Sequence, residues 1–334
     1  MIILVVKMDE FAFIDAIKQH TYKQPSIIKG VGDDAAVFRQ SAQDIVTAVD
    51  TFVEDVHFSR ATMKPFHIGY RTLAANTSDL SAMGAVPAFY LVSIVIPESW
   101  NEDELKGIYK GMAELGNTYK MDLIGGDTVS GKELSLSITV FGYVNRNKAR
   151  YRNAAKPGDV VFTTGTLGDS AAGFFMLTNP GEYIDKAFYY RRHRMPSINA
   201  DFASELEFLP RLALNDISDG LANEASEIAE ASQVSLTVYE EQVPVSTHFG
   251  QFRDDQQFKW KMFGGEDFEL IGTVPKKSWE DVKQIADLTQ TQVTEIGHVE
   301  NSDDSGSDVF LVDRGQTKKR LEKKGYTHLK QVKR

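Results

Sequence analysis

Residues 134–165 read LSLSITVFGYVNRNKARYRNAAKPGDVVFTTG, and the organisation of the chain turns on them. Leu134–Val144 alternates apolar and polar residues, the pattern of a half-buried strand. Asn145–Asn153 is polar and ends it. Lys156-Pro157-Gly158-Asp159 then opens a second β-run, Val160–Thr163. The break is the best candidate boundary and predicts one domain over residues 1–148 and a second over 149–334. Outward from it, Ile45–Val49 and Phe89–Ile96 are short β-rich runs, and Phe66–Met83 reads as a helix rich in small residues. Ser99 followed by Glu102 predicts a capping box ahead of Leu105, Ile108, Tyr109, Met112 and Leu115, which recur at helical spacing. On the other side, Leu221, Ala225, Ile228 and Ala229 mark a helix after Gly220. Glu300–Asp308 reads as a loop, and the basic tail from Lys318 as a solvated helix face. Strands alternating with helices predict an α/β (α+β) chain of two domains.

Length agrees. The 334 residues suffice for about two domains with sizeable cores. With 42% hydrophobic residues the chain is too apolar to be disordered, and it lacks the uninterrupted apolar run of a membrane helix. Net charge is −10, so no bulk attraction to nucleic acid or anionic lipid is expected, and phosphates would be handled through metal ions or backbone donors. There is no cysteine, which removes disulfides, thiolate zinc sites, iron–sulfur clusters and cysteine nucleophiles. The apolar opening Met1–Val6 is cut short by Lys7, Asp9 and Glu10, a poor signal peptide. Met8 is an alternative start, a helix is expected over Asp9–Ile17, and the expected compartment is the cytoplasm.

One pattern recurs: a β-run or turn, small residues, then acids. It stands at Gly30-Val31-Gly32-Asp33-Asp34, Val49-Asp50-Thr51, Asn76-Thr77-Ser78-Asp79, Gly125-Gly126-Asp127, Asp216-Ile217-Ser218-Asp219-Gly220 and Gly264-Gly265-Glu266-Asp267. Carboxylates beside glycines suit hard cations, which take oxygen ligands and need close backbone approach. Gly-Asp is also ordinary turn chemistry, but six occurrences, several after apolar runs, favour metal.

Two other patterns lead elsewhere. Gly30–Ala35 satisfies the dinucleotide fingerprint, but a strand-like Ala36-Val37-Phe38 follows where that fingerprint needs a helix. P-loop and protein-kinase motifs are absent. Thr164-Gly165-Thr166-Leu167-Gly168-Asp169-Ser170 runs from the Val160–Thr163 strand into a helix at Ala171–Leu177. It reads equally as a phosphate cradle of free N–H groups or as a βα turn with Asp169 or Ser170 as N-cap.

Together, Gly30–Phe38 (GVGDDAAVF), Val49–Phe58 (VDTFVEDVHF), Asn76–Pro87 (NTSDLSAMGAVP), Ile124–Thr128 (IGGDT), Thr164–Gly173 (TGTLGDSAAG), Asp216–Leu221 (DISDGL) and Gly264–Leu270 (GGEDFEL) resemble the thiamine-monophosphate kinases, in the superfamily of aminoimidazole ribonucleotide synthetase. The likeness runs from about Glu10 to Tyr326. Selenophosphate synthetase and the related hydrogenase maturation protein depend on cysteine or selenocysteine and fit badly. Aminoimidazole ribonucleotide synthetase, an ATP-dependent ring-closing enzyme, remains the rival, and a non-catalytic Mg²⁺–nucleotide binder stands behind it.

The resemblance implies an N-terminal mixed sheet that pairs across a homodimer, a larger C-terminal α/β domain, and ATP between the two. It implies direct, Mg²⁺-assisted transfer of the ATP γ-phosphoryl group to thiamine monophosphate, with no general base, and leaves K⁺ open. Carried over position by position, Asp34, Asp50, Asp79, Asp127, Asp216 and Asp219 would ligate several Mg²⁺ ions, with Ala48 and Val49 adding backbone carbonyls. Gly126, Asp127, Arg152 and Ser218 would contact ATP, and His57, Glu266 and Tyr326 would face thiamine monophosphate. Asp33, Asp55 and Asp267 are neighbouring acids without a separate role. Arg191-Arg192-His193-Arg194 also resembles a family segment without an assigned one.

Overall fold

Alternation at Leu134–Val144 and the β-rich run at Ile45–Val49 become neighbouring strands of one sheet. The computed structural model describes residues 16–29, 37–39, 42–302 and 306–323. Two compact units emerge, one within Met1–Leu80 and Pro87–Tyr143, the other within Ser81–Val86 and Val144–Arg334. Asp33 and Asp34, Tyr326, the Gly30–Ala35 pattern and Met1–Asp15, with most of the expected N-terminal helix, lie outside the described residues.

In the first unit a small ribbon pairs β1 (Ile27–Lys29) with β2 (Val37–Phe38). The main sheet is built from β3 (Gln43–Val53), β4 (Val86–Ile96), β5 (Asp122–Ser130) and β6 (Ser135–Asn145) in the order β3-β6-β4-β5. Helix α1 (Pro65–Ala82) follows β3, and α2 (Glu102–Thr118) joins the parallel pair β4 and β5. Leu136, Ile138 and Val140 of β6 are fully buried, while the alternate Ser135, Ser137 and Thr139 are half-buried, the two-residue period expected of a sheet with one covered face. The expected stripe on α2 is buried. Its cap is not where the sequence suggested. Asn101 and Glu104 form the capping box by reciprocal side-chain bonds, each 3.0 Å, while the Ser99 carbonyl accepts from Arg60. Asparagine at the N-cap and glutamate three residues on satisfy two orphan N–H groups together.

The second unit holds β7 (Asp159–Thr164), β8 (Ala213–Ile217), β9 (Val234–Tyr239), β10 (Glu269–Pro275), β11 (Val293–Asn301), β12 (Val309–Val312) and β13 (Lys318–Arg320), ordered β13-β12-β9-β11-β7-β10-β8. Its helices are α3 (Asp169–Thr178), α4 (Lys186–Arg194), α5 (Ala200–Glu205), α6 (Leu221–Ser232), α7 (Asp254–Phe263) and α8 (Trp279–Leu288). Strand β7 is buried along its whole length. Val161 packs into one core with Leu221, Ala225 and Ile228 of α6. Val160 and Phe162 pack into another with Phe202 of α5 and with Val282 and Ile285 of α8. Burial on both faces explains why Val160–Phe162 is continuously apolar rather than alternating.

Two expectations about the C-terminal region change. Strand β11 runs on through Asn301, into the stretch read as loop. Lys318–Arg320, read as a helix face, is a strand antiparallel to β12. Its charges are met from neighbouring strands and turns: Lys318 by Glu300 at 2.7 Å, Lys319 by Asp313 at 3.2 Å and Arg320 by Asp308 at 2.6 Å. Among the described residues no helix is long and apolar enough to cross a membrane.

Candidate active site

Sheet register decides what meets what in the second unit. Strand β10 is antiparallel to both β7 and β8, with Ile271 opposite Thr163 and Leu270 opposite Asp216. The segment entering β10, Gly264–Phe268, therefore lies at the end of the sheet where β7 and β8 exit, beside Gly165–Gly168 and Ser218–Gly220. Three of the motifs singled out in sequence share this edge.

At the β8 exit, Asp216 is buried and Ser218 and Asp219 lead into α6. Glu224, one turn into that helix, accepts the Asp219 N–H at 2.7 Å and an Asn223 amide hydrogen at 2.9 Å. It is 2% exposed. Burial, with the nearby Glu227 and Asp216 charges, pushes its carboxyl up to about 8 despite the Asp219 and Asn223 hydrogen bonds. A buried acid raised by neighbouring carboxylates is in an environment a cation would relieve. Arg152 is oriented next to it. Its Nε donates to Asn215 Oδ1 at 2.9 Å, its Nη2 lies 3.2 Å from Glu227 Oε2, and Asn215 Nδ2 donates to the same Glu227 oxygen at 3.1 Å.

Asn215, Glu224 and Glu227 carry no role in the sequence reading. A signal was available, because Glu224 falls between Leu221, Ala225 and Ile228 on the apolar stripe of α6, where an acid needs a partner.

The Gly264–Phe268 segment is fastened on both sides of Glu266. The Glu266 N–H donates to Ser218 O at 2.7 Å and the Phe268 N–H to Ile217 O at 3.0 Å. Glu266 and Phe268 both have left-handed backbones, φ 68° and 52°.

The glycine turn before α3 is no open phosphate cradle. Gly168, at φ 87°, is the N-cap, and Asp169 and Ser170 are already inside the helix. Two of the turn's donors are taken by a side chain: Asp267 Oδ2 accepts the Gly168 N–H at 2.6 Å and Oδ1 the Ser170 N–H at 3.0 Å. The protein supplies its own carboxyl group where a phosphate would have sat.

In the first unit, Asp50 on β3 donates its N–H to Asn76 Oδ1 on α1 at 2.8 Å, and Asn76 Nδ2 donates to Thr72 O. Asp79 lies three residues further along α1, on the same side of the helix. Crowding by protein raises the Asp50 carboxyl above its ordinary range, and nearby His57 pulls it part of the way back. His57 Nδ1 accepts the Val53 N–H at 3.0 Å, which places the imidazole proton on Nε2 in the neutral ring. The Asp55 N–H donates to Phe58 O at 2.7 Å, with Asp55 left-handed, closing the tight turn that carries His57. Ala48 is half-buried and Val49 exposed. Gly126 and Asp127 are exposed on β5, and a Cβ at Gly126 would come within 2.0 Å of Val92 O, so only glycine fits beside the acid. Thus Asn76 ties Asp50 to α1 and His57 lies near Asp50, with Asp79 one turn further along the helix, while Asp127 is presented from a separate strand.

Among the described residues no three His, Asp or Glu side chains form a ready-made cation cage. The donors are carboxylate and amide oxygens, which fit Mg²⁺, an ion commonly held by one or two carboxylates with water and substrate phosphates.

Residues 32–144 match the family model of AIR synthase related protein, N-terminal domain, and residues 156–309 that of the C-terminal domain. The thiamine-monophosphate kinase of Bacillus subtilis (strain 168) is 43% identical over 330 residues, spanning 97% of this chain and 100% of that protein. The chain belongs to the thiamine-monophosphate kinase family. Two solved structures of family members share its fold. That of the kinase from Stenotrophomonas maltophilia K279a superposes with a TM-score of 0.82 at 32% identity, covering 91% of this chain and 96% of its own. AaThiL complexed with AMPPCP and TMP gives 0.76 at 29% identity, covering 97% and 100%. The family's two-domain α/β architecture is therefore that of this chain.

Proposed function

We propose that this protein transfers the γ-phosphoryl group of ATP to the phosphate of thiamine monophosphate, giving thiamine diphosphate and ADP. Full-length identity of 43% to a thiamine-monophosphate kinase carries the reading, and the AaThiL complex with AMPPCP and TMP supports the pair of reactants.

Asp50, Asp79 and Asp127 of the first unit and Asp216 and Asp219 of the second are assigned to Mg²⁺, with the backbones of Ala48 and Val49; Asp34 completes the assignment. Bound there, Mg²⁺ would offset the repulsion between two anionic reactants and steady them for in-line attack. Arg152, held in its fork by Asn215 and Glu227, contacts ATP together with Ser218, Gly126 and Asp127. His57, Glu266 and Tyr326 receive thiamine monophosphate, the Glu266 carboxylate suiting its cationic thiazolium ring. The acceptor is already a phosphate oxygen, so no side chain has to remove a proton.

Division at residues 148/149, a homodimer and work in the cytoplasm belong to the same reading. Exposed Ile45 and Val49 on β3 and Val129 on β5 support pairing through the first sheet. Purified protein with ATP, Mg²⁺ and thiamine monophosphate should yield thiamine diphosphate and ADP in equal amounts, and EDTA should stop both. ATP binding without thiamine diphosphate would instead favour ring closure of the aminoimidazole ribonucleotide synthetase kind.

A further inference from the structure

Two motifs without a part in that reaction, the glycine turn Thr164–Ser170 and the basic run Arg191–Arg194, meet in one buried network. Asp169, Asp267, Glu269 and Arg192 form it. Arg192 Nη2 donates to Glu269 Oε1 at 2.7 Å, and its Nε lies 3.9 Å from Asp169 Oδ2. Thr164 Oγ1 and Asn199 Nδ2 donate to the second Glu269 oxygen at 2.7 and 2.8 Å. Asp169 also accepts from Thr166 and from Ser246. Burial alone would lower the Arg192 pKa, but Glu269, Asp267 and Asp169 more than offset it.

Asp267 is the member with a consequence outside the network. Its carboxylate, 1% exposed as a residue, grips the Gly168 and Ser170 N–H groups on one side. Its chain neighbours on the other side are Glu266 and Phe268, both left-handed and both tied to the Ile217–Ser218 exit of β8. Two left-handed non-glycine positions on either side of a single residue persist only where surrounding bonds over-determine them. Releasing Asp267 would remove the link between this segment and the turn before α3.

We propose that Asp267 is a positioning residue for acceptor binding: by filling the N-terminus of α3 it locks the Gly264–Phe268 segment so that Glu266 is presented to thiamine monophosphate. This rests on the assignment of Glu266 above. Asparagine at 267 keeps the shape but offers an NH₂ to one of two N–H donors, so one bond is replaced by repulsion.

The test is a double-mutant cycle on the full chain, reading KM for thiamine monophosphate, KM for ATP and kcat, with melting temperature as the check on folding. Glu266→Ala is expected to raise the acceptor KM by about tenfold or more, a factor of ten being ~1.4 kcal/mol. Asp267→Asn should raise it by a similar factor with KM for ATP within about twofold of the parent. The double variant should exceed Glu266→Ala by no more than about twofold, since a residue acting through another has nothing left to move. If Asp267→Asn multiplies KM equally in both backgrounds, or lowers melting temperature alone, Asp267 does not act through Glu266 and the proposal fails while the Glu266 assignment stands. A normal KM in Glu266→Ala overturns both. Asp267→Glu, which keeps the charge and shifts it by one methylene, replaces the amide variant in the cycle if that variant does not fold, with the same non-additivity expected.

Discussion

Asn76 Oδ1 accepts the backbone N–H of Asp50 at 2.8 Å, so a buried amide on α1 sets the position of an acid on β3. Asp79 follows on the same helix, and the bond registers two acids from different elements to one another. Asn76→Ala should cost about 1–3 kcal/mol, the usual penalty for leaving buried polar groups unmet. It should also lower kcat more than a matched surface variant of equal stability does. Urea melts and steady-state kinetics on the same preparation check both halves.

Asp50→Asn and Asp127→Asn remove negative charge without changing shape. Each should reduce kcat at least 100-fold while circular dichroism and melting temperature stay close to the parent. Near-normal turnover in both would defeat the assignment of these acids to Mg²⁺.

Addition of Mg²⁺ with a non-hydrolysable ATP analogue should raise the melting temperature, because a ligand that binds only the folded state stabilises it. The gain should shrink in Asn215→Leu, which takes away the Arg152 Nε partner and one hydrogen bond to Glu227. An unchanged gain would mean that Arg152 needs no such orientation.

His57→Ala should raise KM for thiamine monophosphate severalfold and leave KM for ATP near the parent value. Initial rates over a grid of both substrates separate the two constants; a rise confined to ATP would move His57 to the nucleotide side.

The Asp267 carboxyl is pushed up from the ordinary 3.8 to about 7, first by burial and partly against the pull of Arg192. Between those values the folded chain keeps a proton that the unfolded chain has released, so raising the pH lowers stability. The contribution is fully present below about pH 4 and lost as pH rises through about 7. About three units correspond to a span on the order of 4 kcal/mol. Parent stability relative to Asp267→Asn should therefore fall steadily from pH 4 to pH 7.5 in urea melts. A flat difference would show that Asp267 is ionised throughout.

Much was determined by the sequence alone. Apolar alternation in Leu134–Val144 and the helical stripe from Leu105 to Leu115 depend on local periods of two and 3.6 residues, and both appear as read. The recurring pattern of small residues followed by acids singled out Asp50, Asp79, Asp127, Asp216 and Asp219 as candidate ligands, of which the substitutions above test Asp50 and Asp127. Only the tertiary structure could show that the phosphate-like turn at Gly165–Gly168 is filled by Asp267, about a hundred residues away in sequence. Nor could local rules show that Lys318–Arg320 is a strand, since its partner is β12 and its charges are met by Glu300, Asp313 and Asp308. The physical reason is the same in both cases: a hydrogen-bond donor is satisfied by whatever the fold brings to it. That identity is set by strand register across the sheet, where β10 runs against β7 and β8, and not by the residues on either side of the donor.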